Sequence, residues 1–143
     1  MTTQEYCSKC QGVLTVTTHK EKIRVARQIF QEILPANNCG TCGRNYVAPE
    51  DHTAFMLRVA RELGNVGPMS GEIYSFIRKA LGMTREELAV LLELNAVDLA
   101  YKEADIGFIT LTERVILNAL VCDQLAGRTT ILDMCAIQRK IKK

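Results

Sequence analysis

Cys7-Ser8-Lys9-Cys10 and Cys39-Gly40-Thr41-Cys42 are two Cys-x-x-Cys motifs, and 28 residues separate them. Each motif places two sulfur atoms on one side of a tight turn, so two such turns supply the four tetrahedral ligands that zinc prefers. Two matched pairs indicate a metal site far more specifically than a single pair does. We therefore predict one structural zinc ion bound by Cys7, Cys10, Cys39 and Cys42, with no ligand position left for a catalytic water.

A glycine follows each motif closely, Gly12 after the first and Gly43 after the second, and glycine suits the tight backbone of such a turn. Two other interpretations of the cysteines stay open, namely a redox dithiol, and disulfides or buried core thiols. A thioredoxin-like site would use one Cys-x-x-Cys at the start of a helix instead of two matched motifs. His19 and His52 are alternative ligands, each able to replace one thiolate.

The composition is that of a folded protein outside the membrane. The 143 residues are enough for one ordinary domain or two small ones, and 48% of them are hydrophobic. The formal net charge of +2 is too small to indicate nucleic-acid binding by itself. No apolar run approaches the length of a transmembrane helix, and residues 1–5 lack the features of a signal peptide. Together with cysteines at metal-site spacing, these features predict a cytoplasmic protein.

The residues between the two motifs have the pattern of a β-ribbon. Residues 13–18 are β-branched and alternate, which predicts a strand. Residues 22–34 fit either strands or a short helix, and the ribbon context favours strands. Residues 35–38, Pro-Ala-Asn-Asn, are predicted to turn the chain into the second motif. A ribbon of this size has too small a core to fold alone, so bound zinc is expected to supply much of its stability.

Helical patterns begin after Val47. Residues 48–51 have the proline and acids of a first helical turn, and Gly64 is a plausible end of that helix. Residues 64–71 contain three glycines and a proline, which predicts a linker. We therefore predict a mostly α fold with a small β zinc ribbon, composed of a zinc-ribbon domain with its following helix at 1–64 and a helical domain at 65–143.

The predicted helical domain has recurrent helix starts, in which a capping residue precedes an acid by three positions. These pairs are Thr84–Glu87, Asn95–Asp98, Thr110–Glu113 and Thr130–Asp133. Cys122 and Cys135 lie on apolar helical faces and are predicted to be buried thiols. Tyr74 and Tyr101 are expected to lie in the core or in an interface.

A helix-turn-helix is predicted where Thr84, Glu87 and Ala89 open a short helix that is followed by a turn and a second helix at 96–104. In such a motif the second helix enters the major groove of DNA. The predicted DNA contacts are Asn95, Ala96, Val97, Asp98, Tyr101 and Lys102 on or beside the second helix, together with Arg78, Lys79 and Arg85. Among them the cations available for phosphates are Arg78, Lys79, Arg85 and Lys102. Residues 66–110 contain four Lys/Arg and seven Asp/Glu, and this local charge of −3 opposes phosphate approach.

The order of zinc ribbon, helix, linker and helix-turn-helix resembles the MqsA (YgiT-type zinc finger) family of bacterial antitoxins over roughly residues 5–125. The resemblance is carried by the four cysteines, by the runs Pro35-Ala36-x-x-Cys39-x-x-Cys42-Gly43 and Ala54-Phe55-Met56, and by Ile77-Arg78-Lys79-x-Leu81-x-x-Thr84-x-x-Glu87. It implies a ribbon that binds zinc for structure and docks onto a partner toxin, commonly an mRNA-cutting ribonuclease. It also implies a C-terminal domain that forms a homodimer and represses its own operon by binding operator DNA. The long apolar helix predicted at 111–125, with the tail that follows it, is expected to form the dimer.

The chain departs from the family pattern on the recognition helix. Where such antitoxins present Asn and Arg, this sequence has Ala96 and Ala100. Either the protein reads another operator through Asn95, Val97 and Asp98, or its DNA function has been lost and it is a protein-interaction adaptor. No nucleophile–base pair, phosphate-binding glycine loop or carboxylate pair beside a histidine is evident, so we predict that the protein is not an enzyme.

Overall fold

The computed structural model describes residues 5–65 and 68–141, with side chains up to Ala136. In that part of the chain three strands precede six helices. The strands are β1 Leu14–Val25, β2 Gln28–Cys39 and β3 Asn45–Tyr46, and the helices are α1 Pro49–Asn65, α2 Gly71–Ala80, α3 Arg85–Leu92, α4 Ala96–Glu103, α5 Leu111–Leu125 and α6 Thr130–Ile141. Among these helices, none combines the length and the apolar content that crossing a bilayer requires.

The chain separates into two compact units. The first consists of Met1–Arg24 and Ile29–Phe55, and the second of Val25–Gln28 and Met56–Lys143. The boundary that the sequence suggested, between residues 64 and 65, lies at the end of α1 within the second unit. Residues 66–67 of the predicted linker lie outside the described part of the chain, and the division into separately folding domains at this linker stays a prediction.

The sheet has the strand order β1-β2-β3. A two-residue turn joins β1 to β2, and both of its residues, Ala26 and Arg27, have positive φ angles of 51° and 65°. These values are typical of a type I′ hairpin turn, whose twist matches the twist of the flanking strands. β3 pairs with β2 in antiparallel register, with Asn37 opposite Tyr46 and Asn38 opposite Asn45.

The predicted turn at residues 35–38 is wrong, because these residues belong to β2. Pro35 suggested a turn since proline cannot donate a ladder hydrogen bond. In the described sheet, however, β3 reaches only Asn37 and Asn38, so one edge of β2 at Pro35 has no neighbouring strand. Proline is tolerated at such an edge, and β2 therefore continues to Cys39.

Polar caps explain where most of the helices begin. The side chains of Ser70, Thr84, Asn95 and Thr110 each accept a hydrogen bond from the backbone N–H three residues on, which satisfies one free donor of the first turn. At Thr110 the Glu113 side chain completes a reciprocal capping box.

The predicted cap of α6 is displaced by one residue. Thr130 is the first residue of the helix, and it is the preceding Thr129 whose hydroxyl donates to Asp133 at 3.0 Å. The Asp123 carboxylate on α5 accepts the backbone N–H of Ile131 at 2.8 Å. The first turn of α6 is thus satisfied by a side chain from another helix, which a pattern local to residues 130–133 does not reveal.

The core of the second unit is formed where α2 packs against α4 and α5, α3 against α4, and α5 against α6. Its fully buried side chains include Tyr74, Ile77, Leu88, Leu99, Leu117 and Val121. Gly71 allows close approach of the backbones, because a Cβ there would lie 2.3 Å from the carbonyl oxygen of Glu103. Tyr74 therefore lies in the core as expected.

Two predictions of burial require correction. Cys122 is exposed and Cys135 is only half-buried. Each residue step rotates a helix by about 100°, so Cys122 points away from the core position of its neighbour Val121. Tyr101 has 51% of its surface exposed, because it lies on the solvent side of α4 opposite the buried Leu99, so of its two predicted places only an interface stays a prediction.

Candidate metal centre and nucleic-acid interface

The four predicted cysteines form one cluster in the first unit. Their Sγ atoms all lie within 4.8 Å of one another. The Sγ atoms of Cys7 and Cys42 are 3.7 Å apart, and those of Cys10 and Cys39 are 3.3 Å apart. Four thiolates at about 2.3 Å from a tetrahedral ion would be about 3.8 Å from one another, so the cluster has the dimensions of a four-thiolate metal site.

Two similar loops build the cluster. In the first, the Cys7 N–H donates to the Gly12 carbonyl at 2.8 Å and the Gln11 N–H donates to the Cys7 carbonyl at 2.9 Å. In the second, the Cys39 N–H donates to the Arg44 carbonyl at 2.9 Å and the Gly43 N–H donates to the Cys39 carbonyl at 2.8 Å. The first cysteine of each loop is buried and the second is exposed, so the cluster has an inner and an outer pair of sulfurs.

The two glycines that the sequence grouped together serve different purposes. Gly43 has a φ angle of 76°, and the equivalent position of the first loop is Gln11, with a φ angle of 63°. Gly12 is required for space instead, because a Cβ there would lie 2.8 Å from the Cys39 Sγ and 2.7 Å from the Thr41 Oγ1. Gly12 therefore provides space for the neighbouring loop, whereas Gly43 provides the positive φ angle of its own loop.

Gly12→Ala should weaken metal binding by about 5- to 150-fold, because relieving the clash costs about 1–3 kcal/mol and must displace the Cys39 sulfur or its loop. Gly40→Ala is the matched control, since a Cβ at Gly40 has no atom within 4 Å. Competition with a chromophoric zinc chelator measures the zinc affinity of both variants. Equal affinities for the two would contradict the placement of Gly12 against Cys39.

Tyr46 is a residue of the centre that the sequence did not single out. Its hydroxyl lies 3.0 Å from the Cys7 Sγ and 3.3 Å from the Ser8 Oγ. The hydrogen bond between the Tyr46 hydroxyl and the Cys7 sulfur is the main reason that the pKa of the Cys7 thiol is lowered to about 6. No cysteine spacing encodes it, because β3 brings Tyr46 to the cluster through its pairing with Asn37.

The pKa values of Cys39 and Cys10 are shifted in opposite directions. The backbone N–H of Cys42, 3.5 Å from the Cys39 Sγ, contributes most to lowering the pKa of Cys39. At Cys10 the backbone N–H of Gly12 acts in the same direction, but the neighbouring Cys39 sulfur and desolvation outweigh it and raise the pKa to about 12. In the metal-free cluster, a thiolate that has already formed makes the neighbouring thiol harder to ionise. A bound cation would compensate the negative charges and so allow the other thiols to ionise.

The donor set fits a divalent ion that prefers soft ligands. Thiolates select zinc or iron over magnesium and calcium, and four of them complete a tetrahedral shell. All six cysteines are free thiols, and the sulfur separations given above far exceed a disulfide bond of about 2.05 Å. His19 lies elsewhere, with its Nε2 3.5 Å from the Glu21 carboxylate, and the cluster includes neither His19 nor His52.

The predicted DNA-contacting segment lies on α3 and α4, which pack against each other and are joined by residues 93–95. Glu93 ends α3 in the left-handed conformation with a φ angle of 58°, and Asn95 caps α4. On α4, Val97, Asp98 and Tyr101 are exposed, whereas Ala96 is half-buried. These side chains are therefore available to a ligand, although none of them carries a positive charge.

Two of the four cations that were predicted to bind phosphates, Arg78 and Lys102, form ion pairs in the interior of the protein. Arg78 is only 7% exposed, and its Nε lies 2.5 Å from the Glu103 Oε1. Lys102 Nζ lies 2.5 Å from the Glu113 Oε1, and the Lys102 side chain is 13% exposed. The expectation that Arg78 and Lys102 are available for phosphates is thus not met. Arg85 is half-exposed and also pairs with Glu103 at 2.9 Å, while Lys79 is exposed.

Glu103 and Glu113 were not recognised from the sequence as partners of these cations. Burial alone would raise the pKa of Glu103, but hydrogen bonds from Arg78 and Arg85 hold it below its usual value. Burial likewise opposes ionisation of Glu113, and Lys102 together with the Thr110 N–H lowers its pKa. Both carboxylates are therefore charged at neutral pH, and they neutralise Arg78, Arg85 and Lys102 within the protein.

No protein-family model matches this chain, and no curated protein matches it significantly. The resemblance to the antitoxin family consequently rests on the motifs of the sequence alone.

Proposed function

We propose that this protein is a zinc-containing helix-turn-helix transcription regulator of the antitoxin type, which neutralises a toxin and represses its own operon. The observation that carries the proposal is the four-cysteine cluster in the same chain as the α3–α4 helix pair. Few families combine a four-cysteine ribbon with such a helix pair. The zinc is structural in this proposal, because four thiolates leave no open ligand position for catalysis.

The ribbon is the proposed toxin-docking part. Val16 and Ile33 on β1 and β2 are 91% and 72% exposed, so the strand pair offers apolar side chains to a partner. In the described sheet β1 has a neighbour on one edge only, so its other edge offers unpaired backbone groups. Both features suit a partner protein that covers the strand, and the partner implied by the family resemblance is an mRNA-cutting ribonuclease.

A homodimer is the proposed assembly of the helical part. α5 exposes Leu111 and Val115, by 70% and 57%, and Cys122 lies on the same side of this helix. The core-facing side of α5 holds Leu117, Leu120 and Val121, so the helix is apolar on two opposite sides. A second copy covering the outer side would make α5 a dimerisation helix, as the two-fold symmetry of most operators requires.

A second candidate function is supported by the charges of the helix pair. The exposed side of α4 has no cation, and Arg78 and Lys102 are paired internally. Phosphate contacts supply most of the affinity of DNA-binding proteins. This observation favours a protein-interaction adaptor that keeps the helix-turn-helix fold without reading DNA.

Fluorescence anisotropy with the DNA upstream of the protein's own gene, against a shuffled fragment of equal length, separates the two candidates. A repressor should prefer its own fragment by at least about 1,000-fold at physiological salt. Tyr101→Ala should weaken this binding by about 5- to 100-fold, since one good base contact contributes about 1–3 kcal/mol.

Tyr6→Ala is the matched control in that experiment, because Tyr6 lies on the ribbon and is 56% exposed, close to the 51% of Tyr101. Weak binding to both fragments, abolished by salt and unaffected by either substitution, would reject the repressor and leave the adaptor.

A further inference from the structure

We infer that the solvent side of α3 and α4 docks a cationic, partly apolar segment of a partner protein. This α3–α4 surface consists of Glu86, Val90, Val97, Asp98 and Tyr101, all of them exposed. The inference rests on the second candidate function and specifies the chemistry of its partner.

The first support is the sign of the exposed charge. Between residues 84 and 104, which the structure describes completely, the α3–α4 surface presents the carboxylates of Glu86 and Asp98. Arg85 is the only exposed Lys or Arg of this stretch, and its Nε already lies 2.9 Å from the Glu103 carboxylate. The exposed charge is therefore predominantly negative, which attracts a cationic partner and repels phosphate.

The second support is that the nearby cations are bound to the carboxylates of Glu103 and Glu113. The Glu103 carboxylate lies between Arg78 and Arg85, and the Arg78 guanidinium also donates to the Met83 carbonyl at 2.9 Å. Lys102 is turned toward Glu113, whose second oxygen accepts the Thr110 N–H at 2.6 Å. Since each contact also holds neighbouring helices together, these cations cannot turn outward without loss of the packing that positions α4.

The third support is the apolar part of the same surface. Val90, Val97 and Tyr101 are 56%, 61% and 51% exposed. Val97 and Tyr101 are four residues apart on α4, so their side chains are neighbours on one helical face. Aromatic and aliphatic side chains among charges are typical of protein interfaces, where an apolar centre is surrounded by polar groups.

The occupant that fits these features is a segment with Lys or Arg opposite the carboxylates and an apolar side chain over Val97 and Tyr101. Such segments occur on the nucleic-acid-binding faces of other proteins, which are cationic because they contact phosphates. Docking there would let this protein occupy a face that otherwise binds RNA or DNA.

Two 15-residue peptides with the same amphipathic pattern test the inference, one built from Lys and Leu and the other from Glu and Leu. Each is titrated into the zinc-loaded full chain, and amide shifts are followed by NMR. The Lys/Leu peptide should shift the resonances of Glu86, Val97 and Tyr101, and the Glu/Leu peptide should not. Asp98→Lys should weaken binding of the Lys/Leu peptide at least fivefold.

Glu50→Lys is the matched control, because Glu50 and Asp98 are exposed acids in the first turns of α1 and α4, respectively. Equal weakening by both substitutions, or shifts located away from α3 and α4, would overturn the inference. Shifts of the α3–α4 resonances by the upstream DNA, with none by the Lys/Leu peptide, would overturn it while supporting the repressor. Shifts by the peptide with no DNA preference would support the inference while rejecting the repressor.

Discussion

Cys39→Ser is expected to abolish metal binding and to unfold the ribbon. Cys39 is fully buried, and its Sγ is 3.3 Å from that of Cys10, so a serine there removes one of the two inner ligands. Structural zinc contributes about 10–16 kcal/mol to the folding of small zinc modules, and little of this binding free energy is expected to survive the loss of a thiolate. Amide resonances of residues 5–46 should lose their dispersion, whereas those of α2–α5 should keep it, and the metal content after dialysis against chelator should approach zero.

Cys122→Ser is the control for that variant, because Cys122 is an exposed thiol outside the cluster. It should bind the metal as the unmodified protein does. A Cys39→Ser protein that keeps both its metal and the dispersion of residues 5–46 would show that the ribbon does not depend on the four-thiolate site.

Arg78→Met should destabilise the helical part of the protein by about 3 kcal/mol, because it leaves the buried Glu103 carboxylate without its principal cation. The Glu103 side chain is 4% exposed, and Arg85 remains as its second partner. The expected result in chemical denaturation is a lower transition midpoint with an unchanged slope. Lys79→Met is the control, because Lys79 is the adjacent exposed cation and should change stability by less than about 0.5 kcal/mol.

The pH dependence of the Arg78→Met effect tests its electrostatic origin. The folded-state pKa of Glu103 is lowered, so its ion pairs stabilise the fold above the unfolded pKa of about 4.3 and lose that contribution as the pH falls through the folded value. The stability difference between Arg78→Met and the unmodified protein should therefore shrink below about pH 4. A difference that stays constant down to pH 3 would mean that lost packing, not lost charge, is the cause.

Patterns confined to a few neighbouring residues were predicted well. The two Cys-x-x-Cys motifs were expected to converge, and their sulfurs do form one cluster. The starts of α3, α4 and α5 follow from caps at Thr84, Asn95 and Thr110. Each capping side chain accepts a hydrogen bond from the backbone N–H only three residues further on, so the pattern is visible in the sequence.

Features that depend on distant residues were missed. Pro35 is accommodated because β3 leaves one edge of β2 open, and Gly12 is required because Thr41 and Cys39 lie against it. Arg78 was predicted to contact phosphates since its sequence neighbours do not reveal Glu103, which lies 25 residues away. In each case the deciding partner comes from another element, and local propensity does not encode it.

Metal analysis of the full chain, purified under reducing conditions, tests the central claim most directly. Native mass spectrometry together with elemental analysis should find one zinc ion per chain, released on modification of Cys7, Cys10, Cys39 and Cys42 by a mercurial reagent. A chain that folds with no metal, that carries iron instead, or that contains disulfides among these four cysteines would contradict the assignment of a structural zinc site.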